Sequence, residues 1–129
     1  MSDWIWIDSD DLLAAHDEQL AEHGGAAGIR DIGLFESAMA RPQNIAVYGD
    51  PDFADLAAAY AFGIAKNHAF VDGNKRTALV ALETFLELNG FELTADDGQA
   101  VLVILSVASS AFSEADVADW VRRNTARLR

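Results

Sequence analysis

The sequence predicts an all-α fold, a single compact domain of about six helices spanning residues 1–129. Three observations predict it. Apolar residues recur at helical spacing in six segments, helix-start residues precede most of them, and Gly or Pro ends the first, second and fourth. The one strand-like alternation, Trp4-Ile5-Trp6-Ile7, is too brief to define a sheet.

Residues 1–8 read as an N-terminal extension. The first helix then carries three start signals: Asp8 as N-cap, Asp11 at the third helical position, and Ile7 placed to staple against Leu12. Gly24-Gly25 ends it. A second, shorter helix runs from about Ile32 to Ala40 and is stopped by Arg41-Pro42. Residues 42–51 are expected to be the longest loop. A third helix from about Asp52 to Lys66 is rich in alanine and apolar almost all round, which demands burial with close backbone neighbours. The fourth, from Asn74 to Asn89, carries Leu79, Leu82, Phe85, Leu86 and Leu88 opposite Glu83 and Glu87, and Gly90 closes it. It is expected to be the central helix. Thr94 or Asp96 caps a fifth, buried helix through Ser110. Ser113 with Asp116 forms a capping box for a sixth that reaches about Arg127.

Composition narrows the function. With no cysteine, disulfides, thiolate metal sites and thiol nucleophiles are excluded. The opening residues lack a basic n-region and enough apolar length for a signal peptide, so the cytoplasm is the expected compartment. The longest apolar stretch, residues 100–112, falls short of the ~20 residues that cross a bilayer, so no membrane is expected. A net charge of −12 repels nucleic acid phosphates, so no direct nucleic acid partner is expected. Both lysines, Lys66 and Lys75, nevertheless lie with Arg76 in one short window, a positive island suited to a compact anion or simply a set of solvated side chains. Arg122, Arg123, Arg127 and Arg129 complement the end of the last helix.

The chemistry is concentrated between the third and fourth helices, in His68-Ala69-Phe70-Val71-Asp72-Gly73-Asn74-Lys75-Arg76-Thr77. A helix N-terminus presents unpaired N–H groups and a positive dipole end, where anions bind. Gly73 lets backbone approach a phosphate, and Asn74, Lys75 and Arg76 add donors and charge. Asp72 offers a carboxylate for Mg²⁺, which takes one or two carboxylates together with phosphate oxygens. His68 supplies an imidazole, the side chain whose titration range suits proton transfer near neutrality. Each also has a plainer role: Asp72 as helix N-cap, Gly73 as turn residue, His68 as a hydrogen-bonded structural histidine, Phe70 and Val71 as anchors. What favours chemistry is that base, carboxylate, glycine, amide and two cations fall together. His16 and His23 lie two turns apart and do not share a metal unaided. The chain holds neither a Gly-x-x-x-x-Gly-Lys-Ser/Thr phosphate loop nor a protein-kinase signature.

This run resembles the Fic/Doc signature, His-x-Phe-x-Asp/Asn-Ala/Gly-Asn-Lys-Arg, at every defined position. The resemblance extends to His16-Asp17, Gly24-Gly25, the stretch from Gly28 to Asp31, Arg41-Pro42-Gln43 and Leu88-Asn89-Gly90. It implies an all-helical core with the signature loop between two central helices. By position, it implies His68 as general base, Asp72 as Mg²⁺ ligand, and Gly73, Asn74, Lys75 and Arg76 as the phosphate-binding loop. Residues 42–51 would match the flap that receives a target peptide. In the AMP-transferring branch the pattern continues Gly-Asn-Gly-Arg-x-x-Arg; here Lys75 replaces the glycine and Leu79 the second arginine. The resemblance therefore implies the Doc branch: a toxin of a toxin-antitoxin pair that transfers the γ-phosphate of ATP, with Mg²⁺, to a threonine of elongation factor Tu. It also implies a cognate antitoxin whose helix blocks the site. The self-inhibitory Ser/Thr-x-x-x-Glu-Gly/Asn pattern is broken here, since Ser110 and Glu114 are followed by Ala115. The alternatives are AMP transfer and a catalytically silent antitoxin-binding module.

Overall fold

In a computed structural model that describes residues 3–128, the chain runs α1 (Ser9–His23), α2 (Ile32–Tyr48), α3 (Phe53–Asn67), α4 (Asn74–Leu88), β1 (Phe91–Leu93), α5 (Asp97–Ala108), α6 (Glu114–Arg123) and β2 (Thr125–Arg127). The start signals read from the sequence at Asp8 and Ser113 act as predicted, Asp96 rather than Thr94 caps the fifth helix, and Asp52 adds a cap on α3. Asp8 accepts the N–H groups of Asp10 and Asp11 at 2.8 and 3.4 Å, and both Ile7 and Leu12 are buried. Asp52 with Asp55 and Ser113 with Asp116 form reciprocal capping boxes on α3 and α6, while Asp96 caps α5.

The alanine-rich α3, rather than α4, takes the centre, packed against α2, α4 and α6. Its residues 57–61 are fully buried, and Gly63 lies so close to α2 that an added Cβ would sit 3.4 Å from Ala38. Small residues let neighbouring backbones approach, and larger ones fill the remaining space: Tyr60, Phe85, Leu56, Leu82 and Leu86 are all buried. Each such leucine or phenylalanine contributes roughly 1.5–3 kcal/mol by leaving water. The extension is tied down on the same core. Asn89 exchanges two 2.9 Å hydrogen bonds with the backbone of Ile5, Trp4 and Trp6 lie against Phe85, and the Ile7 N–H reaches the Tyr60 hydroxyl. Met1 and Ser2 of that extension, and Arg129 of the C-terminal arginines, lie outside the described residues.

Four expectations are corrected. α2 continues through Pro42 to Tyr48, so the loop expected at residues 42–51, and the flap assigned to it, reduce to the short connection 49–52. Pro42 cannot donate to the helix ladder, a cost near 3 kcal/mol. Phe35, Ala38, Met39 and Pro42, however, form one buried face at i, i+3, i+4 and i+7, and packing on α3 offsets the loss. The last helix ends at Arg123, and Thr125–Arg127 pairs antiparallel with Phe91–Leu93, a small sheet that three-residue segments could not announce. Arg127 accordingly lies on a strand, its guanidinium 5.2 Å from the Phe91 ring. α5 is buried on one face only, because Val101, Leu102 and Leu105 remain exposed. Among the described residues no helix is long and apolar enough to cross a membrane.

Candidate active site

The site begins where α3 stops. His68 takes the left-handed conformation, φ 51° and ψ 47°, at a helix end where glycine is usual. A side chain there costs about 1 kcal/mol or more, and Arg30 holds the turn in place. Its Nε and Nη2 donate to the His68 carbonyl at 2.8 and 2.6 Å, and Nη2 also reaches the Asn67 carbonyl at 3.3 Å. The result is an exposed imidazole on a backbone turn that Arg30 hydrogen-bonds.

The loop is then paired on its outer side by residues 28–31. Arg30 and Asp31 donate to the Ala69 carbonyl at 2.7 and 3.1 Å, and Val71 donates to the Gly28 carbonyl at 3.1 Å. Extended pairing sends successive side chains to opposite sides. Phe70 is therefore buried, whereas Val71, expected as an anchor, is 52% exposed. Asn74 closes the turn from within: its Oδ1 accepts the Phe70 N–H and its Nδ2 donates to the Phe70 carbonyl, both at 3.0 Å. The Asn74 side chain is thereby engaged in the loop, and among the described residues its backbone N–H at the helix start bonds no protein acceptor.

Asp72 does not cap α4. The N-cap is Gly73, at φ 78°, with no side-chain cap bond. The Asp72 carboxylate instead accepts the Gly73 N–H at 2.8 Å and approaches the Ala26 N–H at 3.4 Å, while its carbonyl accepts Nε2 of His16 at 2.8 Å. The diglycine after α1 fits tightly against this loop. A Cβ on Gly25 would fall 2.8 Å from an Asp72 carboxylate oxygen, and Arg76 Nη2 donates to the Gly24 carbonyl at 2.9 Å.

All six residues singled out in the signature, His68, Asp72, Gly73, Asn74, Lys75 and Arg76, line one cleft of about 450 Å³, together with Val71 and two residues of α5, Val101 and Leu105. Lys66 does not join them. It lies in a separate groove between α2 and α3 and donates to Ser110, so the positive island of the sequence is divided. Glu114 is likewise elsewhere, paired with Arg41 through a 2.9 Å bond from Nε.

The donor set fits a polyphosphate. Among the described residues, the N–H groups of Asn74, Lys75 and Arg76 bond no protein acceptor, and the buried Arg76 Nε has no partner. Lys75 and Arg76 supply the charge. A metal fits more sparsely. Among the described residues no three His, Cys, Asp or Glu side chains converge, so a cation here would rest on Asp72 and on oxygens brought by the ligand, the manner typical of Mg²⁺.

Sequence reasoning did not single out His16, Arg30 or the α5 pair as site residues. His16 did leave a signal: Leu12, His16 and Leu20 share one face at i, i+4 and i+8, placing an imidazole on the apolar side of α1. It is buried and stacked on Phe70 with ring centroids 3.8 Å apart. Arg30 left none beyond its place in the resembling stretch.

Comparison with known proteins points the same way as the geometry. Residues 6–86 match the Fic/DOC family. The chain is 47% identical over 94 residues to "Toxin Doc" of Mycolicibacterium smegmatis, covering 70% of this chain and 69% of that protein. It is 33% identical over 118 residues to "Protein kinase doc" of Escherichia phage P1, covering 91% of this chain and 93% of that protein. With its signature loop held between two packed helices and relatives aligned across most of its length, the chain belongs to the Fic/DOC family.

Proposed function

We propose that this protein is a Doc-type toxin that transfers the γ-phosphate of ATP to a protein hydroxyl, with a threonine of elongation factor Tu as the target that the resemblance implies. The observation that supports it best is the convergence of six signature residues on one cleft at the start of α4, where N–H donors stand without partners. The names of the two relatives, a toxin and a protein kinase, favour the same reading.

In this scheme His68 takes the proton of the target hydroxyl as that oxygen bonds to the γ-phosphorus and the bond to the β,γ-bridging oxygen breaks, leaving ADP. The N–H groups at the α4 start, with Lys75 and Arg76, hold the phosphate oxygens. Asp72 holds Mg²⁺, which would neutralise phosphate charge. A cognate antitoxin, whose helix covers the cleft, restrains the toxin. Lys75 and Leu79, where the AMP-transferring branch has Gly and Arg, stand against adenylyl transfer.

The test incubates the protein with purified elongation factor Tu and ATP labelled at the α- or γ-phosphate. Label from the γ position alone is expected, dependent on Mg²⁺, absent with His68→Ala, and strongly reduced with Asp72→Asn. Label from the α position would establish AMP transfer instead. An unlabelled target with both nucleotides, alongside full activity of Asp72→Asn in growth arrest, would leave a binding module.

A further inference from the structure

We propose that Arg30 is a positioning residue for the transfer reaction, holding the His68 imidazole at the cleft by binding the backbone carbonyls of Asn67, His68 and Ala69 in succession. The proposal rests on the phosphotransfer reading above, in which His68 takes the proton of the target hydroxyl. It adds a residue outside the signature loop, 38 positions away in sequence, that sets where this base stands.

Arg30 meets the turn from two directions. Its guanidinium donates to the Asn67 and His68 carbonyls, and its own backbone N–H donates to the Ala69 carbonyl at 2.7 Å. The base and both of its chain neighbours are thus held by one residue. A helix end leaves its last carbonyls without intrahelical donors and carries the negative end of the dipole, so a bonded cation is favoured there on both counts.

The need for such a brace lies in the backbone of residue 68. Glycine would take the left-handed turn freely but would bring no imidazole; His68 takes it at φ 51°. A strained residue persists only where its surroundings over-determine it. Ser110, the other non-glycine residue at positive φ among the described residues, gives the comparison, because no group among those residues donates to its carbonyl. Left-handed geometry by itself therefore draws no guanidinium; the turn that carries the base does.

The brace is itself anchored. Asp31, the next residue, caps α2 through the Leu34 N–H at 3.1 Å, and Asn67 Nδ2 donates to the Leu34 carbonyl at 3.1 Å. The start of α2 and the end of α3 are joined around Arg30, which does not line the cleft and touches none of the donors at the α4 start. Losing the guanidinium displaces the base and leaves the phosphate donors where they are.

Transfer of labelled γ-phosphate to elongation factor Tu, measured well below each melting transition, compares wild type with Arg30→Ala and Arg30→Met. The methionine variant keeps chain length without donors and serves should alanine impair folding. In each, kcat is expected to fall about 10- to 100-fold while KM for ATP stays within about twofold. Arg30→Lys, which keeps the charge but not the planar fork, is expected to fall between. Because Arg30 is exposed, free guanidinium ion is expected to restore part of the rate of Arg30→Ala and none of that of His68→Ala. A purely structural role would lower the melting temperature and leave kcat per folded molecule unchanged. A second readout needs no activity: the chain has three histidines, so the His68 ring signals are assigned in a carbon–proton correlation spectrum by their loss in His68→Ala. In the Arg30 variants they are expected to shift or broaden while those of His23 stay. A kcat within about twofold of wild type in a folded alanine or methionine variant, or an unmoved His68 signal, overturns the proposal. If wild-type protein transfers no γ-phosphate, the phosphotransfer reading falls, and the ring signals still decide whether Arg30 positions His68.

Discussion

The imidazole of His16 donates from Nε2 to the backbone carbonyl of Asp72 at 2.8 Å. A carbonyl only accepts, so the proton must sit on Nε2. The same ring lies nearly parallel to Phe70, at 11° between planes. One side chain of α1 thus supports both the buried anchor of the signature loop and the residue whose carboxylate is proposed to hold Mg²⁺.

These two roles separate by substitution. His16→Ala removes a ring whose side chain is only 3% exposed, and a loss of about 2–3 kcal/mol in stability is expected. His16→Phe keeps the stack but leaves the Asp72 carbonyl without its donor. It should retain more stability than the alanine variant while raising the Mg²⁺ concentration needed for half-maximal labelling of the target. Chemical denaturation and a Mg²⁺ titration check the two effects. If His16→Phe matches wild type in Mg²⁺ response, the hydrogen bond has no part in placing Asp72.

Gly25 and Gly90 give a second contrast. Both have positive φ, 127° and 87°, so a side chain strains either. Their surroundings differ: a Cβ on Gly25 would meet Asp72 Oδ2 at 2.8 Å, and a Cβ on Gly90 would meet nothing within 4 Å. Gly25→Ala is expected to destabilise the protein by roughly 1–3 kcal/mol and to cut transfer activity by displacing Asp72. Gly90→Ala should cost about 1–2 kcal/mol with activity per folded molecule unchanged. Melting curves beside labelling rates distinguish them, and equal activity in both variants would remove the diglycine from the functional site.

Legibility in the sequence followed the range of the forces involved. Caps at Asp8 and Ser113 are local, set by a side chain and an N–H a few residues on, and they could be read directly, as could Asp96 as one of two candidates with Thr94. The signature cleft was legible for the same reason, since its six residues lie within nine positions of one turn. Pro42 misled because a local rule was overridden by a buried face that exists only once α3 is present. Asp72 is the opposite case. Its spacing suited a cap, but Gly73 occupies the cap position, and the carboxylate turns toward the loop and Ala26, a partner 46 residues away. His16 and Arg30 act across 56 and 38 residues, where no pattern of neighbours carries the information.

Glu83 provides a prediction with a defined sign. Burial pushes its carboxyl above the ordinary range, and the nearby Asp97 and Glu87 carboxylates push in the same direction. The folded state then binds this proton more tightly than the unfolded chain. Between the ordinary carboxylate value and the raised one, folded molecules carry more protons, so stability falls as pH rises through that window. The penalty is absent below it and complete above it. Glu83→Gln removes the titration, and it should raise the melting temperature at pH 8 with a gain that shrinks toward zero near pH 4. Glu36→Gln, exposed on α2, removes the same formal charge and controls for the general self-repulsion of a chain at −12. Melts of the three proteins across this pH range decide the matter: a gain for Glu83→Gln that is equal at both ends, or no larger than that of Glu36→Gln, means that the half-buried carboxyl does not destabilise the fold when ionised.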